Sequence, residues 1–288
     1  MDNIKLKARA KINIGLDVVR KRPDGYHDMR MVMQTLKMYD GISMAKNHNG
    51  NISIKTNLPY VPDNENNLCY KAAKLLRDEF NIDTGVDIDL VKYIPVSAGM
   101  AGGSSDAAAV MVGMNKLFGL SLSMQDLMER AVNIGADVPY CIMRGTAMAE
   151  GIGEKLTRLN PFPECVVLVA KPGIAVSTRS VFGKLRLTED TYHPDIDSIV
   201  KGINEKNMDM IASNMGNVLE DVTEKDFPVI STIKSKMAEN GAIKALMSGS
   251  GPTVFGLFEN IEDARKAFYS IKKEHIARQM FITDIFNV

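Results

Sequence analysis

The 288-residue sequence has no excess charge: thirty-five lysines and arginines balance thirty-five aspartates and glutamates. A chain without a net field has no general attraction for nucleic acid or for an anionic membrane, so any anion it binds must be held by a local site. It also lacks an apolar run approaching the ~20 residues of a membrane span. Its opening residues, Met1-Asp2-Asn3-Ile4-Lys5, lack the charged and apolar regions of a signal peptide. A cytoplasmic chain that engages neither membrane nor nucleic acid is expected. Cysteine is scarce, and Cys69, Cys141 and Cys165 are odd in number and far apart. Reduced thiols in or near a core fit that pattern better than a disulfide framework. No pair among His27, His48, His193 and His275 has the spacing of a zinc-binding helix, which argues against catalysis by a bound transition metal.

What the chain does have is enough apolar material, 45% of its residues, for the core of an ordinary globular enzyme. Its length suits two domains. Pro161-Phe162-Pro163 marks the break, giving domains of residues 1–160 and 161–288.

The most informative stretch is Pro95-Val96-Ser97-Ala98-Gly99-Met100-Ala101-Gly102-Gly103-Ser104-Ser105. Before it, Val86, Ile88 and Leu90 alternate with Asp87 and Asp89 as in a strand, and Pro95 ends the run. After it, Ala107, Val110, Met111, Met114, Leu117 and Phe118 recur at helical spacing, which predicts Ser104 or Ser105 as the N-cap. Glycines let backbone amides approach a ligand closely, and the start of a helix adds about half a positive charge. Strand, glycine loop and helix N-terminus together make a phosphate cradle. The loop is not a Walker motif, since no Gly-Lys-Ser/Thr follows, and its glycine spacing is not the dinucleotide fingerprint.

Elsewhere the pattern alternates between periods of two and of 3.6. Residues 3–19 read as strand, with Lys11, Asn13 and Gly15 on one face; that face is either a solvated polar edge or part of a site. Arg22-Pro23-Asp24-Gly25 is a turn that places Tyr26 and His27 on a loop tip. From Met29 to Thr56, short meandering strands broken at Asp40-Gly41 and at 47–50 are expected. Leu68 to Phe80 reads as a helix capped by Asn66 or Asn67. Ser123 and Asp126 open another with a capping box and Gly135 closes it. Asp137 follows on a bend before Pro139, where it either caps the next helix or does chemistry. A hairpin over 145–159 and a doubly buried strand over 165–170 come next. Helical stripes follow at Ile196 to Ile203 and Phe227 to Met237. The chain ends strand, Ser248-Gly249-Ser250-Gly251 loop, strand, helix, strand. That loop is either a second backbone-lined anion site or a tight turn.

Three of these stretches, Lys11-Ile12-Asn13, the Pro95–Ser105 loop, and Met247 to Thr253, resemble in order the three motifs of the GHMP small-molecule kinases, named for galactose, homoserine, mevalonate and phosphomevalonate. Asp24-Gly25-Tyr26-His27, Gly135 to Pro139 and Ala149 to Glu154 narrow the likeness to the branch acting on a cytidine-linked sugar alcohol. The sequence departs modestly, with Val96-Ser97-Ala98 where many relatives carry more glycine and Thr146 where some carry histidine. The resemblance implies an α+β architecture of two domains, the second ferredoxin-like, with the active site in the cleft between them. It further implies an ATP-dependent kinase, working with Mg2+, that phosphorylates the 2-hydroxyl of diphosphocytidyl methylerythritol in the non-mevalonate isoprenoid precursor pathway. Asp137 is then the base and Lys11 the charge stabiliser, while the Pro95–Ser105 loop binds ATP. Asn13 bonds substrate, Tyr26 and Phe182 sandwich the pyrimidine, His27 reads its edge, and Ser248 to Gly251 face the diphosphate. Magnesium ligands are left unassigned, and a monomer or weak homodimer is expected. Two other readings stand beside this one: another GHMP kinase, disfavoured by Tyr26-His27, and a non-catalytic nucleotide-binding regulator, disfavoured by the presence of both Lys11 and Asp137.

Overall fold

The computed structural model describes all residues from Met1 to Val288. In chain order the elements are β1 (Asn3–Lys21), β2 (His27–Asn47), β3 (Ile52–Thr56), α1 (Leu68–Glu79), β4 (Gly85–Val91), α2 (Gly102–Phe118), α3 (Met124–Ala131), α4 (Val138–Met143), β5 (Thr146–Gly151) and β6 (Lys155–Arg158). Then come β7 (Val166–Lys171), α5 (Thr178–Lys184), α6 (Ile196–Glu205), α7 (Met208–Asn214), α8 (Glu220–Asp226), α9 (Val229–Glu239), β8 (Lys244–Met247), β9 (Val254–Phe258), α10 (Ile261–Lys273) and β10 (Gln279–Asp284). Helices and a mixed sheet share the chain, as an α+β fold requires. No helix is long and apolar enough to cross a membrane.

Two compact units result. The first comprises residues 1–10, 38–96 and 101–144; the second comprises 11–37, 97–100 and 145–288. Residues 160 and 161 both fall in the second.

In the first unit, the later half of β2 pairs antiparallel with β4, and β4 pairs parallel with β3. Helices α1 to α4 supply the apolar partner layer, with Ala72, Ala73 and Leu76 of α1 and Ala107 to Met111 of α2 fully or almost fully buried. A small residue lets α2 approach the strands closely: at Gly113, a Cβ would press against the Met44 thioether of β2 and Leu6 of β1. Asn67 caps α1 through its side chain, accepting from the Cys69 amide at 2.9 Å, and Ser123 and Asp126 form the expected capping box of α3.

The second unit holds the four-stranded antiparallel sheet β10-β7-β9-β8. Val167 to Ala170 of β7 are completely buried, as the unbroken apolar run predicted. Val254 to Phe258 of β9 are equally enclosed, and α9 and α10 bury Ile230, Ile233, Ala264, Ala267 and Ile271. The earlier half of β2 pairs with β5, and β5 with β6, in the predicted hairpin. The three cysteines are free thiols and buried.

Two expectations fail. Strand β2 is one element of 21 residues and does not break at Asp40-Gly41. Asp40 is tolerated inside it because its carboxylate accepts the Tyr93 and Ile94 amides at 2.5 and 2.8 Å. Helix α3 ends at Ala131, one turn before Gly135. Replacing Asn67 with alanine removes the α1 cap and should lower unfolding free energy by about 1 kcal/mol. Urea denaturation followed by circular dichroism measures this, and an unchanged midpoint and slope would show that the cap contributes nothing.

Candidate functional site

Lysine and asparagine on a strand belong in water unless something compensates them. On β1, however, Lys11 is 5% exposed and Asn13 is fully buried, and Ile12 and Ile14 on the other face are buried as well. The solvated-edge reading of this face is therefore excluded. Lys11 Nζ donates to Asn13 Oδ1 at 2.7 Å, and the Asn13 amide nitrogen meets the Met31 sulfur at 3.5 Å. A buried ammonium is costly unless partnered. This strand thus carries a lysine side chain almost wholly enclosed in the fold.

The Lys11 amide donates to the Met100 carbonyl at 3.2 Å, joining β1 to the glycine loop within the second unit. The loop's residues 97–100 belong to that unit and 101–105 to the first. Ser97, Gly99 and Ala101 all have positive φ, at 51°, 71° and 53°. Such angles suit glycine and strain serine and alanine.

The N-cap of α2 is Ala101, not Ser104 or Ser105, and no side chain caps this helix. Ser105 instead turns inward: its hydroxyl donates to the Arg9 carbonyl at 2.6 Å. The capping expectation fails because the left-handed Ala101 starts the helix three to four residues early. The outcome strengthens the anion reading, since no protein carboxylate or hydroxyl occupies the first-turn amides.

The three glycines differ in why they are glycines. At Gly99 a Cβ would collide with the Ser248 carbonyl, so packing alone forbids a side chain. At Gly102 a Cβ would lie 3.2 Å from both Ile94 Cγ2 and Lys92 Nζ. At Gly103 the nearest atom would be Leu68 Cδ1 at an ordinary 3.6 Å, and the residue is exposed. Packing leaves room for a side chain at Gly103, which points to close approach by something from solution.

The second loop braces the first. Ser248 Oγ donates to the Gly99 carbonyl at 2.9 Å, and the Asn217 amide donates to the carbonyls of Met247 and Gly249 at 2.8 and 2.7 Å. The Met247 amide donates to Glu220 at 2.6 Å, and Ser250 and Thr178 hydroxyls lie 2.8 Å apart. Ser248 therefore spends its hydroxyl on Gly99. The sequence offered no sign of Asn217 or Glu220 as supports, because each stands alone in an unremarkable stretch.

On the Arg22 turn, Asp24 accepts from the Tyr26 amide at 3.0 Å and pairs with Arg22 at 2.7 Å. Tyr26 is left 62% exposed. The His27 and Phe182 rings lie 5.1 Å apart at 36°. Phe182 of α5 thus packs on His27. Burial, with the Lys21 charge adding to it, holds the His27 imidazole below its usual pKa, so it is neutral near pH 7. Asp137, in the first unit, occupies the N-cap position of α4 without making a side-chain cap bond, so the bland capping role fails. Pro139 in the first turn fixes this bend.

Two family models match, GHMP kinases N terminal domain over residues 67–145 and GHMP kinases C terminal over 199–277. A 4-diphosphocytidyl-2-C-methyl-D-erythritol kinase of Lachnospira eligens is 54% identical over 286 residues, covering 99% of both chains. A solved crystal structure of 4-(cytidine 5'-diphospho)-2C-methyl-D-erythritol kinase superposes with TM-score 0.84 at 29% identity, over 99% of this chain and 100% of that one. A homoserine kinase from Cytophaga hutchinsonii shares the fold, with TM-score 0.82 at 19% identity, over 100% of this chain and 95% of that one.

Gly103→Ala should fold as the parent does but raise the KM for ATP about tenfold or more, because only an incoming phosphate meets the added methyl. Gly99→Ala should instead lower stability by roughly 1–3 kcal/mol through collision with Ser248 and a strained φ. Steady-state kinetics and thermal unfolding separate the two, and identical behaviour of both variants would contradict the distinction. With two family models in order and a relative more than half identical from end to end, the chain belongs to the GHMP kinases, in the family of 4-diphosphocytidyl-2-C-methyl-D-erythritol kinases.

Proposed function

We propose that this protein transfers the γ-phosphoryl group of ATP, supplied as its magnesium complex, to the 2-hydroxyl of diphosphocytidyl methylerythritol, in the non-mevalonate supply of isoprenoid precursors. The observation that carries the reading is that the first unit offers a helix N-terminus at Gly102 and Gly103 without a side-chain cap, while the second unit carries a buried lysine on β1. The first feature holds polyphosphate and the second offers a desolvated positive charge, the combination phosphoryl transfer uses.

Asp137 accepts the proton of the substrate hydroxyl as its oxygen attacks the γ-phosphorus and ADP departs. Lys11, oriented by Asn13, offsets the charge that accumulates on the transferring group. Pro95 to Ser105 bind ATP, with the amides of Gly102, Gly103 and Ser104 presented to the phosphates. Magnesium suits this arrangement without a dedicated cage, because it keeps several waters and binds largely through substrate phosphates. No cluster of three or more His, Cys, Asp or Glu side chains offers such a cage.

The cytidine end is read by the Arg22 turn. Tyr26 presents an uncovered ring for stacking, and neutral His27, backed by Phe182, hydrogen-bonds the base edge. Asn13 contacts the sugar alcohol. In the second loop, Gly249, Ser250 and Gly251 face the diphosphate, while Ser248 serves by fixing Gly99. The enzyme acts on small molecules, as a monomer or weak homodimer, in the cytoplasm. A homoserine or mevalonate kinase would share the fold but has no use for a stacking ring at Tyr26.

Purified protein given ATP, magnesium and either the cytidyl substrate, mevalonate, homoserine or galactose should release ADP with the first alone. Release with another of the four and none with the cytidyl compound would reject the assignment. Asp137→Asn should fold normally and lower kcat by about 10²- to 10⁴-fold, the usual weight of a general base. Unchanged turnover would remove Asp137 from the mechanism. Tyr26→Ala should raise the KM for the cytidyl substrate and leave that for ATP nearly alone, whereas equal changes in both would count against base stacking.

A further inference from the structure

Within the first unit, a buried charge cluster lies against the glycine loop and takes no part in the steps above. Asp40 of β2, Lys92 just beyond β4, and Asp106 of α2 are 0, 7 and 2% exposed. Lys92 Nζ donates to Asp40 Oδ2 and, at 2.6 Å, to Asp106 Oδ2. The remaining oxygen of Asp40 takes the amides of Tyr93 and Ile94, the last residues before Pro95. The same ammonium lies 3.2 Å from where a Gly102 Cβ would stand. One cluster therefore grips the chain where it enters the loop and again where the loop becomes helix.

The charges do not balance. Two carboxylates face one ammonium, and water is excluded, so full ionisation leaves an uncompensated negative charge in the interior. Asp106 Oδ1 is enclosed and has no hydrogen-bond partner, the worst circumstance for an ionised oxygen. Burial pushes the Asp106 carboxyl up to about 8; Lys92 opposes the rise, and Asp40 adds to it. Burial alone would lower the Lys92 ammonium, but the two carboxylates outweigh it and leave it above the usual lysine value. The other titratable neighbour is Cys69 of α1, whose thiol burial pushes well above its ordinary range, so it adds no charge.

We propose that Asp40, Lys92 and Asp106 are positioning residues for the ATP phosphates and that they act as a net-neutral set, with Asp106 present as the protonated acid. The proposal rests on the reading of the Pro95–Ser105 loop as the phosphate cradle. Loss of the Asp106 proton at alkaline pH places a negative charge behind the amides that must attract an anion, and ATP binding weakens. The folded state holds this proton more tightly than the unfolded chain. The stability it confers is full below the unfolded value near 3.8 and is lost as pH rises through about 8.

Asparagine reproduces the neutral acid in shape and charge, and alanine does not. Equilibrium binding of a non-hydrolysable ATP analogue, which involves no chemistry at Asp137, reads the effect. Near pH 7, Asp106→Asn should bind more tightly than Asp106→Ala. The ratio of the parent's dissociation constant to that of Asp106→Asn should grow about tenfold between about pH 7 and about pH 9. Over the same range, the parent should lose urea stability relative to Asp106→Asn. A constant ratio together with parallel stability profiles would overturn the proposal. Gly103→Ala, measured in the same assay, isolates the underlying reading: if it binds the analogue as the parent does, the loop is not the cradle, and the positioning role falls with it. If it is impaired while the Asp106→Asn profiles stay parallel to the parent's, the cradle stands and the neutral-acid cluster is rejected.

Discussion

Much in this protein depends on one close approach, the carbonyl of Ser248 against the α-carbon of Gly99. Because no side chain intervenes, two loops separated by about half the chain come into direct contact, joined by the Ser248 hydroxyl and by Asn217, which bonds the carbonyls of Met247 and Gly249. Lys11 joins it through the Met100 carbonyl. A phosphate cradle must present its amides without rearranging, since each reorganisation at the moment of reaction adds to the barrier. Within the second unit, these contacts tie residues 97–100 to the Ser248 loop through backbone groups.

The sequence was most legible where local physics decides the outcome. Asn67 caps a helix and Ser123 with Asp126 forms a capping box because side chain and amide are only two or three residues apart. Strand β7 was readable because an unbroken apolar run has few alternatives. Legibility failed where a distant residue overrides the local pattern. Asp40-Gly41 looks like a break, yet the strand continues, since Asp40 is satisfied by Lys92 and by amides more than fifty positions away. The start of α2 was misplaced for a related reason: Ser105 bonds to Arg9, and a strained alanine does the work of a cap.

For the candidate site the lesson runs the other way. Periodicity put Lys11 and Asn13 on one face but left their environment open, and the fold resolves the choice by burying both. Asp137 had an innocuous explanation as a cap, and the absence of a capping bond removes it. Phe182 has no local motif and rests on resemblance alone, and its ring meets that of His27. Asn217, Glu220 and Lys92 carried no local signal, because their importance lies in what they hold and not in any motif around them.

The three cysteines bear on how the protein meets its surroundings. All are enclosed, and burial drives the Cys165 thiol up to about 12 and Cys69 well above the ordinary range. Oxidants and alkylating agents attack the thiolate, a form these two hardly populate while the chain is folded. Those two thiols should therefore resist such reagents in the folded protein and react only in molecules that have already opened.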